Sequence, residues 1–170
     1  MVGNWGNAAD EDFITSYNIR LVVRAAGQQT NGDPAKPYEY PNNSFTGEPP
    51  ETVDCPVNTL NQLTATWEMV CQRCIRTWWC TKDGEPPKTV LVHCNDGNNR
   101  APAFASIIAG KLMDCSPLSM AKELSNHRDI DLMYSDGKKF AARMGLLTYT
   151  TVSYTHLRAH ETGRNLVCRL

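Results

Sequence analysis

Residues 101 to 115, APAFASIIAGKLMDC, are apolar nearly all the way round. A helix with no polar face has to be covered on every side, so a chain that contains one must fold into layers. Directly before it stands TVLVHC (89 to 94), a short β-branched run of strand length. A second such run, IRLVVRAA (19 to 26), ends at Gly27 and also reads as a buried strand. Between the two, Leu60, Leu63, Trp67, Val70, Cys71, Cys74, Ile75 and Trp78 recur at helical spacing and predict an amphipathic helix. Strand, helix, strand and helices in this order imply an α/β layered domain, and 170 residues suffice for one domain with a sizeable core.

The remaining segments fit around that frame. DEDFITS (10 to 16) predicts a short helix capped by Asp10, and ETVDCP a short extended piece before Pro56. Residues 28 to 50, rich in Pro, Asn, Gly and Thr, predict a long surface loop. Pro102 suits a first helical turn, where a missing N–H costs nothing. Ser116 and Pro117 are placed as the N-cap and first residue of a further helix, PLSMAKELSNHR. A last helix is expected over 135 to 148, with Phe140, Met144 and Leu147 on one stripe. Beyond it VSYTHLRAHETGRNLVCRL has neither period. It carries three Arg against one Glu, which leaves 14 Lys and Arg against 17 Asp and Glu on the rest of the chain. SYTHLRAHET resembles a peptide found at the ends of unrelated conceptual translations. The expected organisation is a domain over 1 to 150 and a non-domain tail over 151 to 170, of the kind translation read-through adds.

Bulk charge narrows the function classes. A net charge of −1 gives no basic surface for nucleic acid or for an acidic membrane. No run of about 18 apolar residues is present, so no membrane span is expected. The first dozen residues have neither a basic nor an apolar segment of the secretory kind. Seven cysteines at irregular spacing (55, 71, 74, 80, 94, 115, 168) then fit reduced thiols in a cytoplasmic protein better than a disulfide framework. Cys71 and Cys74 form one CxxC, but they fall on the apolar helical stripe and no second pair stands at zinc spacing, so core packing is expected of them.

The chemistry is expected between His93 and Arg100. The strand stops at Cys94, and five of the next six residues, Asn95, Asp96, Gly97, Asn98 and Asn99, are small and turn-forming. A strand that turns through such residues into a helix aims its main-chain N–H groups at one point, an anion nest, and the helix N-terminus adds partial positive charge. Gly97 lets main chain approach an anion, and Asn and Asp tolerate left-handed geometry. The dipoles that bind phosphate also stabilise a thiolate at Cys94, and Arg100 supplies a planar two-pronged donor for phosphate oxygens. A nucleophile, an oxyanion cradle and a guanidinium are the parts of phosphoryl transfer through a cysteinyl-phosphate, with no metal or other cofactor expected.

The stretch His93-Cys94-Asn95-Asp96-Gly97-Asn98-Asn99-Arg100 matches HCxxGxxR, the signature of the protein tyrosine phosphatase superfamily. Its four fixed residues would arise by chance in on the order of one in 1,000 chains of this composition. GNWGNAADEDFITSYNIRLVVRAA resembles the start of a small dual-specificity phosphatase, and SPLSMAKELSNHRDIDLMYSDGKKFAARMGLL resembles that family's closing helices, with Arg128 near a usual basic position. The resemblance implies a small α/β fold with a central, mostly parallel sheet flanked by helices. It implies a phosphorylated protein as substrate, phosphotyrosine and phosphoserine/threonine both accepted, and a monomer with no nucleic-acid partner. It also implies a general acid on a loop upstream of the signature strand. Asp54, directly before the amphipathic helix and forty residues from Cys94, is the expected acid, with Asp33 and Asp83 as other loop aspartates. His93 is expected to position the loop by hydrogen bonding.

Three features depart from the family pattern. Ala101 stands where a Ser or Thr usually helps the thiolate leave, so NRAP is similar to the GRAP of the slow phosphatases of regenerating liver. Asp96 puts a carboxylate in the loop, as in myotubularin-like lipid phosphatases, without a Lys to grip a polyanionic inositide. Asn99-Arg100 resembles the end of the RNA 5′-triphosphatase loop without its Thr. The alternatives are therefore a phosphatase of the same fold acting on glucan, an RNA 5′ end or phosphoinositide, or a weakly active phosphate-binding module.

Overall fold

The computed structural model describes residues 1–26, 39–55, 60–79 and 84–127, with 60–65 and 79 described by main chain alone. The elements in chain order are β1 (Val2–Gly3), α1 (Trp5–Ala9), α2 (Glu11–Ser16), β2 (Ile19–Arg24), β3 (Glu51–Asp54), α3 (Leu60–Trp79), β4 (Thr89–His93), α4 (Arg100–Met113) and α5 (Pro117–His127). The four strands form one sheet in the order β1-β4-β2-β3, and every pairing is parallel. The expected α/β architecture and its strand segments are present. The expected last helix, Arg128, Asp33, Asp83 and the tail lie outside the described residues.

Both faces of the sheet are covered, which is why its strands read as continuous apolar runs. On one face Leu21, Val23, Val90 and Val92 pack with Val70, Cys71 and Cys74 of α3 and with Phe104, Ile107 and Ile108 of α4. On the other, Val22 and Leu91 pack with Ile14, Ala8 and Tyr40. Alternation along each strand produces this division. Ile19 joins the second face because a register shift between Ile19 and Leu21 turns it over. Cys71 and Cys74 are buried in the first cluster, as the helical stripe predicts.

Three expectations need correction. GNWGN, where the sequence predicts no helix, leads into α1. Asn4 Oδ1 accepts the Asn7 N–H at 2.9 Å and Asn7 Oδ1 accepts the Asn4 N–H at 3.1 Å, a capping box built from two asparagines in place of the usual Ser/Thr and Glu. The described part of the 28 to 50 loop is not all surface. Tyr40 and Asn43 are buried, and Asn43 Nδ2 donates to the Ile19 carbonyl at 2.9 Å, fixing the segment to β2. Finally, α4 is enclosed along its first turns but not at its end, where Met113 is 69% exposed and Asp114 closes the helix in left-handed geometry.

Caps fall where the sequence puts them. Asp10 accepts the Phe13 N–H at 3.1 Å, and Ser116 Oγ accepts the Ser119 N–H at 3.1 Å with Pro117 first in α5. The largest fully buried side chain is Phe104, which fixes α4 against the sheet. Phe104→Ala is expected to cost about 3 to 5 kcal/mol, read as a lower urea midpoint without a change of slope.

Candidate active site

Because the strands are parallel, their carboxyl ends lie on one edge, where open α/β sheets place ligand sites. Three side-chain positions end in a row there: Arg24 of β2 pairs in register with Asp54 of β3 on one side and with His93 of β4 on the other. Pairing persists to the very ends, with Ala25 N donating to His93 O at 2.9 Å and Cys55 N to Arg24 O at 3.1 Å. At ordinary strand spacing, Asp54 therefore stands about 10 Å from His93, two strands over.

Cys94 follows β4 directly and is almost completely buried, at 1% exposure. Asn95, Asp96 and Asn98 are exposed, whereas Gly97 is buried and Asn99 and Arg100 are partly so. The Asp96 carboxylate thus belongs to the solvent side of the loop. Gly97 has φ +78°, and a Cβ there would stand 2.9 Å from the Gly3 carbonyl oxygen and 3.1 Å from the Asn4 nitrogen. Both the left-handed backbone and the main-chain approach demand glycine. Trp5 N–H donates to the Asn95 carbonyl at 3.0 Å, so the turn after β1 braces the loop from below. At the far end α4 begins with no side-chain hydrogen bond from Asn99 and no acidic residue in its first turn. The positive end of its dipole therefore meets the loop without a carboxylate beside it.

His93 lies beneath the loop with no exposed surface. Tyr40 Oη and His93 Nε2 are hydrogen-bonded at 2.8 Å, and Trp5 completes a three-ring cluster, its centroid 5.8 Å from His93 and 6.2 Å from Tyr40. Burial pushes the imidazole down to about 4, with the nearby Arg24 guanidinium acting in the same sense and the Cys94 main chain against it. Its Nδ1 is buried with no hydrogen-bond partner among the described residues.

Asp54 is not a free carboxylate. Arg24 Nε donates to Oδ1 at 2.7 Å and Nη2 to Oδ2 at 2.8 Å, a two-pronged ion pair in which the arginine side chain is 9% exposed and the aspartate 39%. The sequence reading omitted Arg24 as well as Tyr40. A charge inside the run IRLVVRAA is a signal for the first, since a buried guanidinium needs a partner. Nothing in the loop composition marks the second.

The Cys55, Cys71 and Cys74 thiols are core groups. Burial pushes Cys55 up to about 11 and Cys74 up to about 12, and raises Cys71 as well. Among the described residues no cluster of three or more His, Cys, Asp or Glu side chains could hold a metal ion, and no helix is long and apolar enough to cross a membrane.

Solved structures share this fold. Human DUSP28 aligns over 91% of this chain and 88% of its own, with a TM-score of 0.63 and 15% identity. The fold is that of the dual-specificity phosphatases. The same fold is seen in PTPMT1 in complex with PI(5)P (92% and 90% covered, TM-score 0.56, 11% identity). It recurs in the human tyrosine phosphatase-like serine/threonine/tyrosine-interacting protein (91% and 91%, TM-score 0.60, 14% identity). No protein-family model matches the chain, and no curated protein matches it by sequence. In this fold the His93–Arg100 loop occupies the carboxyl end of a strand with sheet neighbours on both sides.

The buried histidine ties stability to pH. The native ring resists a proton that the unfolded chain accepts below about 6.5. Stability is therefore complete above that pH, declines as pH falls, and has lost its full increment of about 3 kcal/mol once pH is below 4. Urea unfolding from pH 7.5 down to 4 is expected to show this decline, and His93→Gln to flatten it. An equal slope in the variant would assign the decline to other groups.

Proposed function

We propose that the chain is a cysteine-dependent protein phosphatase that hydrolyses phosphotyrosine and phosphoserine/threonine through a cysteinyl-phosphate, with slow turnover. One observation carries this: a buried cysteine at the end of an enclosed strand, under a Gly97-dependent loop that opens onto an uncapped helix N-terminus. The catalytic domain is assigned to 1–150, with 151–170 outside it, and the protein is taken to be a cytoplasmic monomer.

In this reading the N–H groups of residues 95 to 99 and the Arg100 guanidinium hold the three non-bridging phosphate oxygens. The Cys94 sulfur attacks phosphorus in line with the ester bond. As that bond breaks, Asp54 passes a proton to the departing oxygen. Water then attacks the cysteinyl-phosphate, gives a proton to Asp54, and phosphate leaves with Cys94 again a thiolate. His93, held by Tyr40, keeps the strand end and loop in place without taking a proton at neutral pH.

Ala101, fully buried at the second position of α4, supplies no hydroxyl for the departing thiolate, which makes the second step the slow one. The same residue, together with the paired state of Asp54, favours one other reading, a weakly active module that captures phosphorylated partners. The inositide reading gains from the PTPMT1 likeness in fold but lacks a basic side chain in the loop, where Asp96 is exposed.

Turnover of a nitrophenyl phosphate by the full chain tests the proposal. Vanadate-sensitive hydrolysis abolished by Cys94→Ser is expected; a folded protein that binds phosphopeptide without turning over the ester would establish the module. Ala101→Ser is expected to raise steady-state turnover several-fold and shrink the pre-steady-state burst. An unchanged or lower rate would reject phosphoenzyme hydrolysis as the slow step.

A further inference from the structure

Arg24 is the one buried arginine at the edge where Asp54 and Cys94 converge, among the described residues. Its fork fills both Asp54 oxygens, each with one N–H, at 2.7 and 2.8 Å. A carboxyl group that carries a proton accepts more weakly at its hydroxyl oxygen and lacks the charge that attracts the guanidinium, so this two-pronged arrangement suits the carboxylate. The pair as it stands is a carboxylate with no proton to give. Most of the guanidinium is shielded from water, whereas more than a third of the aspartate side chain is exposed. The aspartate can therefore leave the pair toward solvent while the arginine stays.

We propose that Arg24 is a positioning residue that latches the leaving-group acid: the Arg24–Asp54 pair holds Asp54 in a proton-free, engaged state, and at least one prong must release before the acid can act. This rests on the phosphatase reading above. On release Asp54 takes a proton from water and transfers it to the ester oxygen as the P–O bond breaks. The carboxylate so formed either recloses on Arg24 or accepts the proton of the water that attacks the cysteinyl-phosphate. With the latch closed, an ester whose leaving group is already a stable anion still reacts, and one that needs a proton does not. The latch thus discriminates between substrates by leaving group, without touching the phosphate.

The readout is the ratio of kcat/KM on p-nitrophenyl phosphate to that on phenyl phosphate, measured with the full chain. Arg24→Met removes both donors at similar length and is expected to lower the ratio about tenfold, a fraction of the 10² to 10⁴ that a general acid supplies. Asp54→Asn combined with Arg24→Met is expected to abolish that fall, since the freed acid is gone. Arg24→Lys keeps the buried charge with a single donor group and replaces the Met variant should that one fail to fold; its ratio is expected to drop part-way. A ratio unchanged or increased in the Arg24 variants, with the wild-type protein active on the nitrophenyl ester, overturns the latch alone. No turnover of that ester by the wild-type protein overturns the phosphatase reading and the latch with it.

Discussion

Parallel register is the constraint on which this molecule depends. It brings the last residues of β2, β3 and β4 to one line, Asp54–Arg24–His93, from three stretches of chain far apart in sequence. Shift any one strand by a single residue and its side chains exchange faces. The line would then lose its ion pair, and the residue after β4 would no longer be a cysteine at the floor of the loop. Enclosure enforces the register. With α3 and α4 on one face and α1, α2 and Tyr40 on the other, each apolar strand position is committed to one cluster or the other.

Enclosure also decides which polar groups can have specific chemistry. Among the described residues His93, Arg24, Asn43 and Asn18 are the buried polar side chains larger than serine, and each is tied to another segment: to Tyr40, to Asp54, to the Ile19 carbonyl, and to the Pro86 and Pro87 carbonyls. Thiols in the same interior are made unreactive by burial, as in Cys55, Cys71 and Cys74. Cys94 is as deeply placed as these, yet it sits at the mouth of main-chain dipoles in place of a purely apolar wall.

The local parts of the site are legible in the sequence. The small loop residues, the cysteine at a strand end and the arginine at a helix start are neighbours in the chain, and their spacing alone carries the geometry. What is not legible is tertiary. Asp54, expected on a loop directly before the amphipathic helix, is instead the last residue of β3, and that Arg24 occupies both of its oxygens follows only from β2 lying between β3 and β4. Likewise Tyr40 comes from a stretch whose composition says loop, and it is drawn inward because the His93 ring beneath the signature loop needs an acceptor or donor. Asn4 and Asn7 give no helix signal for a different reason, since the reciprocal cap they form uses residue types that equally favour turns.

The contact between Gly3 and Gly97 has a consequence for how the site comes into being. Two main-chain segments from distant parts of the sequence meet with no side chain between them, held by the two-residue β1, by hydrogen bonds of Met1 with Val90 and Val92, and by the Trp5 to Asn95 hydrogen bond. Closing a loop of that length costs chain entropy, so the cradle depends on a sheet that other contacts hold in place. Amide exchange at Trp5 should be faster than at Val22 or Leu91, which lie beneath it in the same sheet.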